Sequence, residues 1–282
     1  MASFGVSTWV WVSPLSDERL AELAPKVRDF GFDVIELQVE EPGQWDPDRA
    51  AEVLREHGLA AGLACVMPPG RDLTEDDATA AETADYLRHC VDVAQTIGSP
   101  VVAGPMYAPV GKLWRLEGSD RSATVKRVAE RLRPVAEYAG ERGVRLGVEP
   151  LNRYETSLFN TVEQALELVE AVDNDALGLL LDTYHMNIEE RDPAAAARAA
   201  GRHIAHVHAC GTDRGAPGFD KFDWQSFSAA LSDAGYDGQL TIESFTAEQE
   251  AIATAAAIWR PLAPTQDALA TDGLAFLKRT FG

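Results

Sequence analysis

Arg145-Leu-Gly-Val-Glu149 is a short apolar run that ends in a carboxylate, and three later segments repeat this pattern. The three segments are Leu179-Leu-Leu-Asp182, Ile204-Ala-His-Val-His208 and Leu240-Thr-Ile-Glu243. Each has the apolar pattern of a β-strand and ends in a side chain that can bind a metal ion or transfer a proton. A parallel β/α barrel carries its chemistry at the carboxyl ends of its strands. The four segments therefore predict a barrel with one shared site.

The whole chain alternates short apolar runs with longer helical patterns. The predicted strands are residues 4–11, 34–39, 59–67, 100–104, 145–149, 177–182, 204–208 and 239–243. Predicted helices begin near residues 16, 46, 74, 122, 161, 193 and 223, and the C-terminal part is expected to be helical from residue 247 with an interruption at Pro261. Eight such units indicate an α/β fold, a single (β/α)8 TIM barrel in which helices surround the parallel strands.

An open, doubly wound parallel sheet is the alternative architecture. Such a sheet usually has a glycine-rich phosphate loop after its first strand, whereas this chain has Ser7-Thr-Trp-Val-Trp11 there. No linker, low-complexity tract or change of composition divides the sequence. Residues 1–282 are therefore expected to form one domain.

The composition argues against several classes of protein. The chain has 45 acidic and 25 basic residues and a formal charge of −20, so no nucleic-acid partner is expected. Cys65, Cys90 and Cys210 lack the spacing of a zinc site or a redox pair, which favours a reduced, cytoplasmic protein. No segment has the pattern of a signal peptide or the length of a membrane span, so no membrane association is expected.

Each of the four strand-end side chains also has a simpler structural explanation. Glu149 could pair with Arg153, Asp182 could cap a turn, and Glu243 could cap the last helix. His208 could be a hydrogen-bonded core residue, as could the histidine two positions before it. Four such side chains at successive strand ends nevertheless predict one site. Carboxylates and an imidazole suit Mn²⁺, Mg²⁺ or Co²⁺ better than they suit a structural zinc ion.

Further polar and aromatic side chains are expected around this site. They are Glu155, His185, Arg214, Trp11 and Phe245. Hydrogen-bonding groups beside aromatic faces are what a polyhydroxylated ligand needs. For Trp11, ordinary core packing is an equally good explanation.

Five stretches of the sequence together resemble one known family. They are Glu149-Pro-Leu-Asn-Arg-Tyr-Glu155, Leu181-Asp-Thr-Tyr-His-Met-Asn-Ile-Glu-Glu190, His206-Val-His208 with Arg214, Ile242-Glu-Ser-Phe245 and Trp259-Arg260. In these stretches the chain resembles the ketose 3-epimerases, the D-tagatose and D-allulose 3-epimerase family of the xylose-isomerase-like barrels. The second stretch is long and specific, and the similarity is far weaker before Glu149.

The resemblance implies one divalent metal ion per subunit, usually Mn²⁺ or Co²⁺ and sometimes Mg²⁺. The implied metal ligands are Glu149, Asp182, His208 and Glu243, and the two glutamates are also the implied catalytic acid–base pair. Glu155, His185 and Arg214 are the implied contacts to a sugar substrate. The family also implies a homodimer or homotetramer.

The chemistry of the expected reaction explains why two carboxylates are needed. One removes the proton at C3 of a free ketose of the D-tagatose, D-allulose or D-fructose type, and the other returns a proton to the opposite face. A metal ion at the sugar oxygens would stabilise the intervening cis-enediolate. Glu149 and Glu243 come from well-separated strands and could flank the substrate.

Other reactions remain open from sequence alone. Keto-sugar or hydroxypyruvate-type isomerases, and keto-sugar or inosose dehydratases and lyases, begin with the same proton abstraction. A metal-dependent endonuclease is disfavoured by the low histidine count and the negative charge, and a non-catalytic sugar-binding barrel by the intact acid–base pair.

Three departures from the family pattern concern the substrate pocket. Asp220 replaces the second glycine of a Pro-Gly-x-Gly loop, an aromatic residue is missing near Val110, and Ser7-Thr8 stand where a pair of tyrosines is common. The preferred sugar therefore does not follow from the resemblance.

Overall fold

The computed structural model describes residues 2–282 and contains a closed barrel of eight parallel strands in sequence order. The strands are β1 (Ser3–Ser7), β2 (Val34–Val39), β3 (Ala60–Cys65), β4 (Val101–Gly104), β5 (Arg145–Val148), β6 (Leu177–Asp182), β7 (Ile204–His208) and β8 (Gln239–Ile242). Because β8 pairs with β1 in parallel, all eight carboxyl ends open on one face. The predicted (β/α)8 TIM barrel is confirmed.

Helices surround this barrel. They are α1 (Asp17–Phe30), α2 (Pro47–His57), α3 (Asp77–Ile97), α4 (Gly118–Glu141), α5 (Val162–Val172), α6 (Thr183–Glu189), α7 (Pro193–Ala200), α8 (Trp224–Asp233), α9 (Glu250–Ala255) and α10 (Gln266–Phe281). The predicted limits of α1 are confirmed, because the Ser16 side chain accepts a hydrogen bond from the Arg19 amide and Gly31 ends the helix at a φ of 90°. Within residues 2–282, no helix has both the length and the apolar character that a membrane crossing requires.

Several predicted boundaries were wrong in ways that affect the site. The first strand ends at Ser7 rather than at residue 11, because Thr8–Val10 forms a 3-10 turn capped by the Ser7 side chain. Strands β5 and β8 each end one residue early, so Glu149 and Glu243 are the first residues of the following loops. Helix α6 was not predicted, whereas the predicted interruption at Pro261 is confirmed, since this residue lies between α9 and α10.

The interior of the barrel contains a group of fully buried polar side chains. Glu36 and Gln38 alternate along β2, and His206 and His208 alternate along β7. Gly62 on β3 leaves room for this group, since a Cβ there would lie 3.2 Å from the Cβ and Cγ atoms of Glu36. The barrel therefore holds a polar cluster below its open face rather than a purely apolar core.

Candidate active site

The four predicted metal ligands lie at the carboxyl ends of their strands. Glu149 and Glu243 directly follow β5 and β8, whereas Asp182 and His208 are the last residues of β6 and β7. Asp182 and His208 are also paired in the register of these two strands. All four side chains are buried, which is costly for carboxylates without compensating partners.

The four side chains fall into two overlapping groups that share Asp182. Potential ligand atoms of Asp182, His208 and Glu243 lie within 4.8 Å of one another, and so do those of Glu149, Asp182 and His185. His208 Nδ1 is 3.3 Å from Glu243 Oε1. The structure thus brings the predicted residues together at the barrel mouth, as part of a wider polar cluster.

The hydrogen bonds of this cluster leave room for a cation. Asp182 Oδ2 and His208 Nδ1 are buried and have no hydrogen-bond partner in the part of the chain that the structure describes. The other oxygen of Asp182 is occupied, because Oδ1 accepts from the Tyr184 amide at 2.7 Å and from Cys210 Sγ at 3.1 Å. Asp182 therefore caps α6 with one oxygen and leaves the other free, so the capping explanation and the metal explanation are compatible.

The charges at this site also fit a divalent ion. Burial, together with the neighbouring Glu243 and Asp182, raises the pKa of Glu149 well above its ordinary value. Burial likewise raises the pKa of Glu243 to about 7, against the opposing effect of His208. Neighbouring carboxylates disfavour each other's ionised form, and a bound cation stabilises that form. Oxygen ligands with one imidazole suit Mn²⁺, Co²⁺ or Mg²⁺.

Arg214 brings a guanidinium group close to these carboxylates. Its guanidinium lies 3.1 Å from Glu155 Oε1 and 3.4 Å from Glu243 Oε2. It also lies 4.3 Å from the centre of the Tyr184 ring and 5.0 Å from that of Phe245. Although burial works against the charge, Glu155 and Glu243 raise the pKa of Arg214, so it stays protonated.

The backbone of Arg214 has a positive φ of 64°, which a non-glycine residue adopts only when its surroundings enforce it. The Ser244 hydroxyl donates a hydrogen bond of 2.6 Å to the Arg214 carbonyl oxygen, which ties this loop to the end of β8. The guanidinium is thus held in place between the acidic residues and the aromatic rings.

His185 is held in one orientation by Asn152. The backbone amide of Asn152 donates to His185 Nδ1 at 3.1 Å, and the Asn152 side-chain nitrogen lies 2.9 Å from the same atom. Burial lowers the pKa of His185, so the ring is neutral and carries its proton on Nε2. That atom lies 3.6 Å from Glu149 Oε1 and can donate a hydrogen bond into the site.

The two predicted aromatic residues lie in different places. Phe245 contacts both Arg214 and Trp9, with 5.4 Å between the Trp9 and Phe245 ring centres. Trp11 instead donates a hydrogen bond to Asp267 on α10, and the centre of its ring lies 5.4 Å from Lys26 Nζ of α1. The 3-10 turn after β1 explains this difference, because it directs Trp9 to the site and Trp11 to the outer helices. The structure does not bring Trp11 to the site.

Sequence reasoning did not identify Glu36, a buried residue that contacts His208, and it gave His206 no role in the site. Glu36 lies 3.1 Å from His208 Nε2 through Oε1 and 2.8 Å from His206 Nε2 through Oε2. His206 was considered only as a core histidine. The alternation of Glu36 and Gln38 within an apolar strand was the available signal, since both must point to the same face.

The suggested Glu149–Arg153 pair is not formed, because Arg153 binds Glu189 at 2.9 Å.

Comparison with known proteins agrees with this geometry. The family described as Xylose isomerase-like TIM barrel matches residues 24–280. A probable ketose 3-epimerase of Synechocystis is 38% identical over 281 residues, covering 99% of this chain and 96% of that protein. An L-ribulose 3-epimerase of Mesorhizobium japonicum is 34% identical, covering 98% of this chain and 93% of that protein.

A solved structure of an L-ribulose 3-epimerase superposes with a TM-score of 0.93 at 33% identity, covering 100% of this chain and 95% of that one. The chain belongs to the xylose-isomerase-like TIM-barrel family. Within that family it groups with the ketose 3-epimerases, and it is an isomerase-class enzyme. The resemblance drawn from the sequence is confirmed.

Proposed function

We propose that this enzyme inverts C3 of a free ketose of the D-tagatose, D-allulose or D-fructose type through a cis-enediolate. The observation that carries the proposal is the pair of buried carboxylates, Glu149 and Glu243, which flank Asp182 and His208 at the barrel mouth. The relatives support the same reaction class, since they are named as ketose and L-ribulose 3-epimerases.

In this proposal the two glutamates exchange protons with C3 from opposite faces of the sugar. Glu149 and Glu243 follow strands β5 and β8, so a substrate between them presents one face to each. One carboxylate removes the proton and the other, in its protonated form, returns one. Burial of both side chains excludes the water that would otherwise compete for these protons.

The remaining residues would bind and orient the sugar. Neutral His185 would donate from Nε2 to a substrate oxygen, and Glu155 and Arg214 would hydrogen-bond to hydroxyl groups. Phe245, with Trp9 beside it, would supply an apolar wall. For Trp11 the structure offers no comparable role.

A divalent ion would be held by Glu149, Asp182, His208 and Glu243, and we propose Mn²⁺, with Co²⁺ and Mg²⁺ as alternatives. When bound, such an ion supplies Lewis acidity that stabilises negative charge on the sugar oxygens. The partnerless Asp182 Oδ2 and His208 Nδ1 support this assignment.

Incubation with D-allulose, D-fructose, D-tagatose and L-ribulose in deuterated water tests the proposal. We expect a C3 epimer from at least one ketose, with deuterium incorporated at C3 and read by NMR. Deuterium at C1 or C2 with an aldose product would identify an isomerase instead. Loss of water or carbon–carbon cleavage would identify a dehydratase or a lyase.

We also expect a homodimer or homotetramer in solution, which light scattering coupled to gel filtration measures. The supporting observation is a set of exposed apolar side chains on loops that follow strands β4, β5, β7 and β8. They are Leu113, Tyr154, Phe219 and Trp259. A monomer at micromolar concentration would contradict this expectation.

A further inference from the structure

Glu36 is a buried carboxylate whose hydrogen bonds go to two histidines of another strand. Its oxygens lie 3.1 and 3.2 Å from His208 Nε2, and Oε2 lies 2.8 Å from His206 Nε2. Lysine and arginine side chains form no salt bridge to Glu36 within residues 2–282. We propose that Glu36 is a positioning residue that fixes the orientation and tautomer of the metal ligand His208, and that His206 holds Glu36 in place. This inference rests on the metal site of the proposed function.

The placement of Glu36 requires a particular barrel interior. Strands β2 and β7 are separated by β1 and β8 around the barrel, so Glu36 must reach across the interior to meet the histidines. Gly62 on the neighbouring strand makes this possible, because a side chain there would press against the Glu36 stem. All three members of the triad, Glu36, His206 and His208, are buried.

The hydrogen bonds of an ionised carboxylate determine which nitrogen of His208 is free. A carboxylate without a proton can only accept, so the imidazole must donate to it from Nε2. In the neutral, metal-binding form of the ring Nδ1 then carries the lone pair, and this atom faces Glu243 at 3.3 Å and has no hydrogen-bond partner among residues 2–282. Histidine ligands of metals commonly have such a carboxylate on the opposite nitrogen, which orients the ring and raises its basicity.

His206 supplies the second donor that Glu36 needs. The His206 and His208 rings are nearly perpendicular, with an interplanar angle of 83° and 5.0 Å between their centres. This arrangement directs both Nε2 atoms at one carboxylate. Without His206, Oε2 of Glu36 would keep only its 3.2 Å contact to His208, and the carboxylate could rotate away from its position.

The triad could instead be a metal site of its own, since its potential ligand atoms also lie within 4.8 Å of one another. Its Nε2 atoms, however, are already bonded to the carboxylate at normal hydrogen-bond distances. The positioning role therefore predicts one ion per subunit and an intact Glu36–His208 hydrogen bond in the metal-loaded enzyme.

Calorimetric titration of the metal-free protein with Mn²⁺ tests this role. We expect one site in the wild type and an affinity about 10- to 100-fold lower in Glu36→Gln, because an amide offers one acceptor where the carboxylate offers two. His206→Leu should weaken binding in the same direction but less. Thr241→Val is the matched control, since Thr241 is buried in the barrel interior and its hydroxyl has no hydrogen-bond partner among the described residues.

The possible results separate the inference from the proposed function. Affinity of Glu36→Gln equal to that of the wild type, or two ions per subunit, would overturn the positioning role alone. A wild type that binds no divalent ion would overturn the metal site of the proposed function as well. An equal loss of affinity in Thr241→Val would show that any change in the barrel interior has this effect.

A measurement on the unaltered enzyme covers the case in which the variants do not fold. Long-range proton–nitrogen NMR of the Mg²⁺-loaded protein reports which ring nitrogen of each histidine carries a proton. We expect the proton of His208 on Nε2 and a shifted, unprotonated Nδ1. A proton on Nδ1 of His208 would contradict the inference, whatever the variants do.

Discussion

Glu149 and Glu243 are the residues on which the proposed chemistry depends most. We expect Glu149→Gln and Glu243→Gln each to lower kcat by about a hundredfold to ten-thousandfold, because the amide can neither accept nor return the C3 proton. Turnover measured by the rate of C3 epimer formation, with circular dichroism to verify the fold, checks this. Glu189→Gln is the control, since Glu189 binds Arg153 outside the cluster. Near-normal rates in either variant would rule out the two-carboxylate mechanism.

Glu243 also makes the stability of the metal-free protein depend on pH. Its pKa rises from 4.5 to about 7 on folding, so between these values the folded state binds more protons than the unfolded state. The contribution of Glu243 to the free energy of unfolding must therefore fall as pH rises through this window, by roughly 3 kcal/mol at most.

Urea unfolding of wild type and Glu243→Gln at pH 5, 6 and 7.5 in the presence of a chelator measures this contribution. We expect the stability of the variant relative to the wild type to increase with pH, because glutamine does not titrate. Glu243 also helps to raise the pKa of His208, so the loss of this effect in the variant changes the comparison in the same direction. A difference that stays constant across this range would contradict the elevated pKa.

Individual residues show what could be predicted from the sequence pattern. Glu149, Asp182, His208 and Glu243 were identifiable because each ends an apolar run, and the barrel brings such ends together. Glu36 was not, because it lies inside a strand and its partners are on a strand that two other strands separate from it around the barrel. The choice between Trp9 and Trp11 depended on a 3-10 turn that the apolar pattern of residues 4–11 does not reveal.

At the level of strands and helices, Gly104 determines how the end of β4 meets its neighbours. It has a φ of 138°, and a Cβ there would lie 2.7 Å from the Cys65 carbonyl oxygen. Its own carbonyl oxygen accepts a hydrogen bond from the Glu149 amide at 3.1 Å. A change at Gly104 should therefore disturb both the barrel and the position of a proposed metal ligand.

We expect Gly104→Ala to lower the free energy of unfolding by about 3 kcal/mol or more, since it combines an unfavourable φ with a steric clash. Gly58→Ala is the matched control, because Gly58 also has a positive φ, of 62°, but open space around it. The control should cost only about 1 kcal/mol. Chemical denaturation measures the free energy of unfolding of both variants. Equal decreases in Gly104→Ala and Gly58→Ala would show that the clash with Cys65 is relieved without cost.

Short elements account for most of the missed boundaries. Helix α6 spans only Thr183–Glu189 and begins directly after β6, with Asp182 serving both as the last strand residue and as the cap. Apolar residues at helical spacing can be recognised only over more than two turns, so a helix this short is predicted as a loop. The predicted interruption at Pro261 does lie in the segment between α9 and α10, but the start of α10 at Gln266 was not predicted.

For the whole molecule, the proposed metal site predicts a large effect of divalent ions on stability. A ligand at a hundredfold excess over its Kd stabilises the folded state by about 3 kcal/mol. For a chain of this size we therefore expect Mn²⁺ to raise the Tm of the chelator-treated protein by roughly 5 °C or more. Thermal unfolding with and without Mn²⁺ measures the effect, and Ca²⁺ tests selectivity. An unchanged Tm would argue against a resident ion.

The overall architecture was predictable because the pattern that indicates it repeats along the chain. Eight apolar runs alternating with helical patterns suffice for the barrel, even when single boundaries are wrong by several residues. The interior of the barrel was not predictable in the same way. The contacts of Glu36 with His206 and His208 join residues 170 and 172 positions apart, and no local pattern encodes such a pairing.

Glu36, the carboxylate that His206 and His208 share in the barrel interior, limits how this enzyme can evolve. Substituting Glu36 alone leaves two buried imidazoles without an acceptor, and substituting His206 alone leaves the carboxylate short of a donor. Replacing both by apolar residues of similar volume leaves only His208 Nε2 without its acceptor, so the double replacement should harm folding less than the sum of the single ones. Related sequences should accordingly vary at these two positions together, or at neither.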